Sequence, residues 1–247
     1  MVENSDPGFQ EFIRVEYRTF LWSLYTTLDA FWINPPVTLR LIEHNKLYQI
    51  KTAAEAGLNV PDTIIANSPS ELAQFARSKD GRVAIKTIHP SVIDSGVARG
   101  KFIYTNVVSV EEIEKHRDEI KVAPVFAQEY IEKELELRVT IVGNNVFPCA
   151  IYSQSSKRTL HDWRRYDFQN VKHEKYDLPE KIKKALLSLM RKWRLIYGAV
   201  DMILTPDGTY VFLEVNPSGQ WEWIEVLTGM PISRSIAELL ADPPSTE

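Results

Sequence analysis

The chain has 247 residues, 44% hydrophobic and 25% charged, with a net charge of −4 and one cysteine. Such a composition can bury one sizeable core or two small ones and excludes the disordered class. The slight acidity gives no basic field for duplex nucleic acid, Cys149 alone excludes an internal disulfide or a multi-cysteine metal site, and there is neither a membrane-length apolar run nor a signal-peptide pattern.

Residues 9–28 carry Phe12, Leu21, Leu24 and Tyr25 at helical spacing and predict an amphipathic helix leading into Phe31-Trp32-Ile33-Asn34-Pro35-Pro36. Trp32 and Pro36 are expected to dock this N-terminal arm, residues 1–35, on the body. The helical pattern resumes over 36–58, with a break near Asn45 and Gly57 as a C-terminal cap. Ser68-Pro69-Ser70-Glu71 reads as a capping box with proline in the first helical position, opening a helix to residue 77. A strand follows at 82–87, where Lys86 closes the apolar run Val83-Ala84-Ile85. An ammonium is uncomfortable there unless an anion meets it, although an edge lysine that discourages aggregation is equally compatible with the position. Residues 89–101 are irregular, with Ser95-Gly96 and Arg99-Gly100 permitting unusual backbone angles. A returning strand at 101–106 and a capped helix at Ser109-Val110-Glu111-Glu112 come next.

Val125-Phe126-Ala127-Gln128-Glu129-Tyr130-Ile131 is an apolar strand carrying a Gln-Glu pair. Residues 137–142 and 146–152 form a hairpin about Gly143-Asn144-Asn145, with Cys149 as a buried, inert thiol. Taken singly, Glu129, Glu136 and Arg138 are surface strand residues in weak pairs. Residues 153–168 are polar and basic, and His161 within them is either a base or an exposed loop histidine. Asp177-Leu178-Pro179-Glu180 then opens a long amphipathic helix that delivers the chain to its most informative stretch.

There, two β-prone runs at 200–204 and 210–215 flank the turn sequence Thr205-Pro206-Asp207-Gly208. A four-residue loop would pair Thr205 with Tyr210 and so set Asp201 directly opposite Glu214, with Asn216 two residues further on the same face. Two carboxylates and an amide oxygen on a largely buried hairpin cost several kcal/mol if unpaired. A hard cation, Mg²⁺ or Mn²⁺, suits those donors, and Mg²⁺ commonly takes its remaining ligands from substrate phosphates.

Asp201 followed by Phe212-Leu213-Glu214-Val215-Asn216-Pro217 resembles the metal hairpin of the ATP-grasp ligases. The continuation through Ser218-Gly219-Gln220-Trp221 and Leu227-Thr228-Gly229-Met230-Pro231-Ile232 resembles the graspetide branch, microviridin-type maturases that join side chains of a ribosomally made peptide. The resemblance implies an α+β ATP-grasp fold, with two lobes of largely antiparallel sheet clamping the nucleotide. The expected division is 1–35 as the last helix of a front domain otherwise lacking, 36–126 as the central lobe and 127–247 as the C-terminal lobe.

The same resemblance implies that Lys46 and Lys86 reach nucleotide phosphate and that 89–101 closes over it. It implies that Gln128 and the main chain of Glu129 and Ile131 meet adenine, that Glu136 holds ribose, and that Arg138 lies near the phosphates or an acyl phosphate. Arg164, in Asp162-Trp163-Arg164, stabilises phosphate or the tetrahedral intermediate. Asp201, Glu214 and Asn216 hold the metal that accompanies ATP. A peptide carboxylate would become an acyl phosphate and then an ester or amide. The partners implied are a precursor peptide, with a homodimer as an open alternative to a single chain, without nucleic acid or membrane, in the cytoplasm. A RimK-like amino-acid ligase and a non-catalytic nucleotide-binding subunit are the alternatives.

Overall fold

The structure, a computed structural model, describes residues 6–88, 92–93, 101–102, 104–165 and 167–244, with 92–93 and 101–102 by backbone alone. The arm begins as α1 (Pro7–Thr27), with proline in its first turn and Asp6 accepting the Gly8 N–H at 2.8 Å. None of its residues is buried. Arg40 lies over Trp22, which ties the arm to the body, and within the arm the Tyr25 ring stands edge-on to Trp32. The expected break falls at Asn45. It separates α2 (Pro36–Ile42) from α3 (Lys46–Glu55), because the Asn45 side chain accepts the Tyr48 N–H at 3.3 Å and starts a new helix.

A four-stranded antiparallel sheet runs in the order β1 (Thr63–Ala66), β6 (Val125–Glu129), β2 (Arg82–Lys86), β5 (Asn106–Ser109). Its core joins Val83 and Ala127 to Leu72, Ala73 and Ala76 of α4 (Pro69–Arg77) and Ile113 of α5 (Val110–Lys115). The Ser109–Glu112 box is complete in both directions, whereas at Ser68 the hydroxyl accepts the Glu71 N–H. Between these elements β3 (Val92–Ile93) pairs with β4 (Lys101–Phe102). The rest of the loop expected at 89–101 lies outside the described residues. A short α6 (Arg117–Ile120) precedes β6.

The second sheet has five antiparallel strands. They are β7 (Leu135–Val142), β8 (Asn145–Ile151), β9 (His173–Lys175), β10 (Tyr197–Leu204) and β11 (Tyr210–Asn216), ordered β11-β10-β7-β8-β9. Strand alternation sorts β7 cleanly. Leu135, Leu137, Val139 and Ile141 pack with Val200, Met202 and Phe212 against Leu186, Leu189, Met190 and Trp193 of α7 (Glu180–Trp193). Each such fully buried side chain contributes roughly 2 kcal/mol. Glu136, Arg138 and Thr140 therefore point to the other face, and they too are buried. Cys149 is buried, and burial pushes its thiol up to about 12, as expected of an inert residue. The helices α8 (Glu222–Thr228) and α9 (Ile232–Ala241) close a smaller core around Ile151, Tyr197, Ile224 and Ile232.

The packing runs across the division expected at 36–126 and 127–247. Ile42 and Ala53, from α2 and α3, belong to the core of the five-stranded sheet, and β6 spans the 126–127 boundary.

Candidate functional site

Asp201 lies opposite Glu214, as expected, but by a different route. Thr205 N–H donates to the Thr209 carbonyl at 3.0 Å and Leu204 pairs with Tyr210, so the loop has three residues, not four. A bulge that leaves Leu213 unpaired restores the register. Since Arg138 pairs with Asp201 on the other side, three adjacent strands set Arg138, Asp201 and Glu214 in one row.

Every charge in the row is answered. Arg138 Nη1 donates to Asp201 Oδ1 at 2.9 Å. Glu214 meets Lys46 Nζ, at the start of α3, at 3.0 Å and Arg164 Nη1 at 3.7 Å. Arg164 is gripped by Asp162 through Nε at 2.8 Å and Nη2 at 2.7 Å, a fork that also accepts the Thr105 N–H at 3.0 Å. The Arg138 guanidinium lies 5.6 Å from the Trp163 ring centre, and its Nε is buried with no hydrogen-bond partner among the described residues. Gly219 closes over it so tightly that a Cβ would stand 2.5 Å from Arg138 Nη2.

The two facing carboxylates sit in opposite fields. Burial works against the Glu214 charge, but Lys46, Lys86 and Arg164 outweigh it and hold the carboxyl down to about 2. Burial raises Asp201, and Arg138 offsets this only in part. Burial also brings Lys86 down to about 8 against the pull of Glu214. For Arg164 burial opposes the charge, yet its Asp162 fork raises it further.

Asp201 and Glu214 of the row stand in one wall of a cleft enclosing about 560 Å³, including the part open to solvent. Lys86, Gln128, Glu129, Ile131, Glu136, His161 and Arg164 all line it with Asp201 and Glu214. Three expected residues stand just outside: Lys46 behind Glu214, Arg138 behind Asp201, and Asn216 exposed at the strand end, its Oδ1 accepting the Ser218 N–H at 3.0 Å. The Glu129 N–H donates to the Asp62 carbonyl at 2.9 Å, so of its main chain the carbonyl is the group left for a base edge. The Gln128 side chain donates to Thr63 Oγ1 at 3.0 Å.

Glu136 is paired with Lys133 Nζ at 3.0 Å, and burial raises its pKa against that pairing. Burial, with Lys133, Arg165 and Arg82 nearby, lowers His161, whose Nδ1 is buried and unpartnered among the described residues. Lys133, Thr105 and the anchoring role of Asp162 escaped the sequence reading. Only the Asp162-x-Arg164 spacing hinted at them, because a short loop can turn such a pair into a fork.

The donor set fits a hard cation: two carboxylates face each other with an amide oxygen nearby. Among the described residues no cluster of three His, Cys, Asp or Glu side chains could hold a metal. The polar and basic groups lining the cleft suit a polyphosphate.

The model of the RimK-like ATP-grasp domain matches residues 43–240. The chain belongs to the ATP-grasp ligases. It is 34% identical to macrocyclase MdnC of Microcystis aeruginosa, solved with precursor peptide MdnA, with a TM-score of 0.86 over 98% of this chain and 74% of that one. It is 32% identical to a RiPP-associated ATP-grasp ligase of Chryseobacterium gregarium, solved with ADP and a leader and core peptide, with a TM-score of 0.88 over 98% and 72%. The α-aminoadipate–LysW ligase LysX of Sulfurisphaera tokodaii is 25% identical over 206 residues, 78% of this chain and 66% of LysX. The chain thus spans just under two thirds of that curated relative. No described helix is long and apolar enough to cross a membrane.

Proposed function

We propose that this chain is an ATP-dependent carboxylate ligase that forms ester or amide links between side chains of a ribosomally made precursor peptide. The observation that carries this reading is the likeness, over 98% of the chain, to a ligase solved with ADP and a leader and core peptide. Asp201, Glu214 and Asn216 hold Mg²⁺, and Mn²⁺ can replace it. When bound, the ion supplies charge neutralisation on the polyphosphate.

The residues divide the remaining work. Lys46 and Lys86 turn from Glu214 towards phosphate. Gln128, the Glu129 carbonyl and the Ile131 main chain meet adenine, and Glu136 leaves Lys133 to receive ribose. A substrate carboxylate oxygen attacks the γ-phosphorus and ADP departs, giving an acyl phosphate. A hydroxyl or amine then attacks the acyl carbon and phosphate leaves. Arg138, Arg164 and Lys86 stabilise the charge on the phosphoryl and tetrahedral oxygens, and His161 takes the proton of the attacking group. The same reading takes the enzyme to act in the cytoplasm, apart from membrane and nucleic acid.

A second reading, addition of a free amino acid, is favoured by the RimK-like family match. The two separate when the chain is incubated with ATP, Mg²⁺ and a synthetic peptide carrying Asp or Glu together with Ser, Thr or Lys. Phosphate release that rises with peptide, and a mass loss of one water per bond, is expected. Release that responds only to free amino acids would overturn the cross-linking reading, and release with neither would favour a non-catalytic subunit.

A further inference from the structure

Strand β11 is an edge of the five-stranded sheet. At residues whose N–H and C=O point away from β10, the backbone needs partners other than a strand. Val215 is such a residue, set between Glu214 and Asn216. Both of its groups are taken by one side chain. Gln49 Oε1 accepts the Val215 N–H at 2.9 Å, while Gln49 Nε2 donates to the Val215 carbonyl at 3.2 Å and to the Ile42 carbonyl at 2.8 Å. Gln49 is 1% exposed and acts as a one-residue strand. It sits one helical turn from Lys46, so a single face of α3 meets Glu214 through Lys46 and Val215 through Gln49.

A second buried amide holds the other side of Asn216. Asn34 Nδ2 donates to the Pro217 carbonyl at 2.7 Å and the Tyr197 carbonyl at 2.8 Å. Its Oδ1 accepts the N–H groups of Ile196 at 2.7 Å and Tyr197 at 2.8 Å. All the bonding capacity of this amide is spent on tying the start of β10 to the residue after Asn216. Among the described residues the Asn216 side chain is bonded by Ser218, its near neighbour in the chain, so its position follows the backbone at Val215 and Pro217.

We infer that Gln49 and Asn34 are positioning residues for the metal site: a pair of buried amides that fixes the Glu214-Val215-Asn216 backbone, so that carboxylate and amide oxygens stand ready for the cation. This rests on the reading of Asp201, Glu214 and Asn216 as the ligands. Gln49→Leu leaves the Val215 N–H and carbonyl without partners and frees the segment. Gln49→Glu keeps an acceptor for the Val215 N–H but sets an oxygen against the Val215 and Ile42 carbonyls.

The test is Mn²⁺ binding, followed by the electron paramagnetic resonance of the free ion, with a non-hydrolysable ATP analogue present at saturation. Analogue binding without metal and the thermal melt are recorded beside it. Gln49→Leu should weaken Mn²⁺ binding roughly tenfold. Gln49→Glu and Asn34→Asp should weaken it severalfold, with metal-free analogue binding unchanged and faster hydrogen exchange at the Val215 amide in the Gln49 variants. A lowered melt with unaltered Mn²⁺ affinity would make both amides merely structural and overturn the inference. Should Gln49→Leu not fold, the other two variants decide by the same criterion. If the wild-type chain takes up no Mn²⁺ while the analogue binds, the ligand assignment itself fails, an outcome distinct from equal binding by wild type and variants.

Discussion

The two walls of the cleft are built on different terms. The wall from the four-stranded sheet and the strand leaving it is a slot whose polar groups are already satisfied: Gln128 bonds Thr63, and the Glu129 N–H is spent in the sheet. The wall from the five-stranded sheet is a row of charges that answer one another, with Arg138 on Asp201 and Lys46 and Arg164 on Glu214. A slot of the first kind is preformed and receives a flat base with little rearrangement. On the proposed reading a row of the second kind exchanges partners, the carboxylates taking a cation while the lysines and arginines turn to anionic oxygens.

The comparison can be broken most severely at the charged wall. Asp201→Asn combined with Glu214→Gln should lower ATP turnover by about a thousandfold or more, with circular dichroism of the fold retained. Full activity in that variant would show that the row is not where phosphoryl transfer occurs. Arg164→Ala should lower kcat roughly a hundredfold with a smaller change in the KM for ATP. Arg164→Lys should not restore it, because the Asp162 fork needs a planar guanidinium; steady-state kinetics of the two variants check this.

Lys86 joins the two walls, and its prediction concerns pH. With its pKa brought down to about 8 by burial, it is charged below that value and neutral above it. The kcat/KM for ATP should fall as pH rises through about 8, and Lys86→Arg should remove that alkaline limb from the profile. The smallest effect belongs to Glu136, on β7 of the five-stranded sheet. Glu136→Gln should raise the KM for ATP about three- to tenfold and leave kcat nearly unchanged. An unaltered KM would take Glu136 out of the ribose role.

Legibility in the sequence follows the same line. The apolar alternation of β7 and the heptapeptide around Glu214 announce strands directly, because side-chain period and face are local properties. The opposition of Asp201 and Glu214 was legible even though two local details were not. The loop is one residue shorter than its turn sequence suggests, and the Leu213 bulge compensates for it. Neither has a signal apart from the packing of both strands. What the sequence hid was non-local: Asp162 anchoring Thr105, and Gln49 and Asn34 bonded to backbone 166 and 163 positions away. A glutamine on an amphipathic helix gives no sign that its amide completes a distant strand.

The central claim, that the two walls form one Mg²⁺-dependent nucleotide site, is tested most directly by calorimetric titration of the chain with a non-hydrolysable ATP analogue, with and without Mg²⁺. The account predicts binding that tightens at least tenfold when Mg²⁺ is present. That gain should be lost in Asp201→Asn with Glu214→Gln. Binding of equal strength with and without Mg²⁺, or the same gain in the double variant, would contradict it.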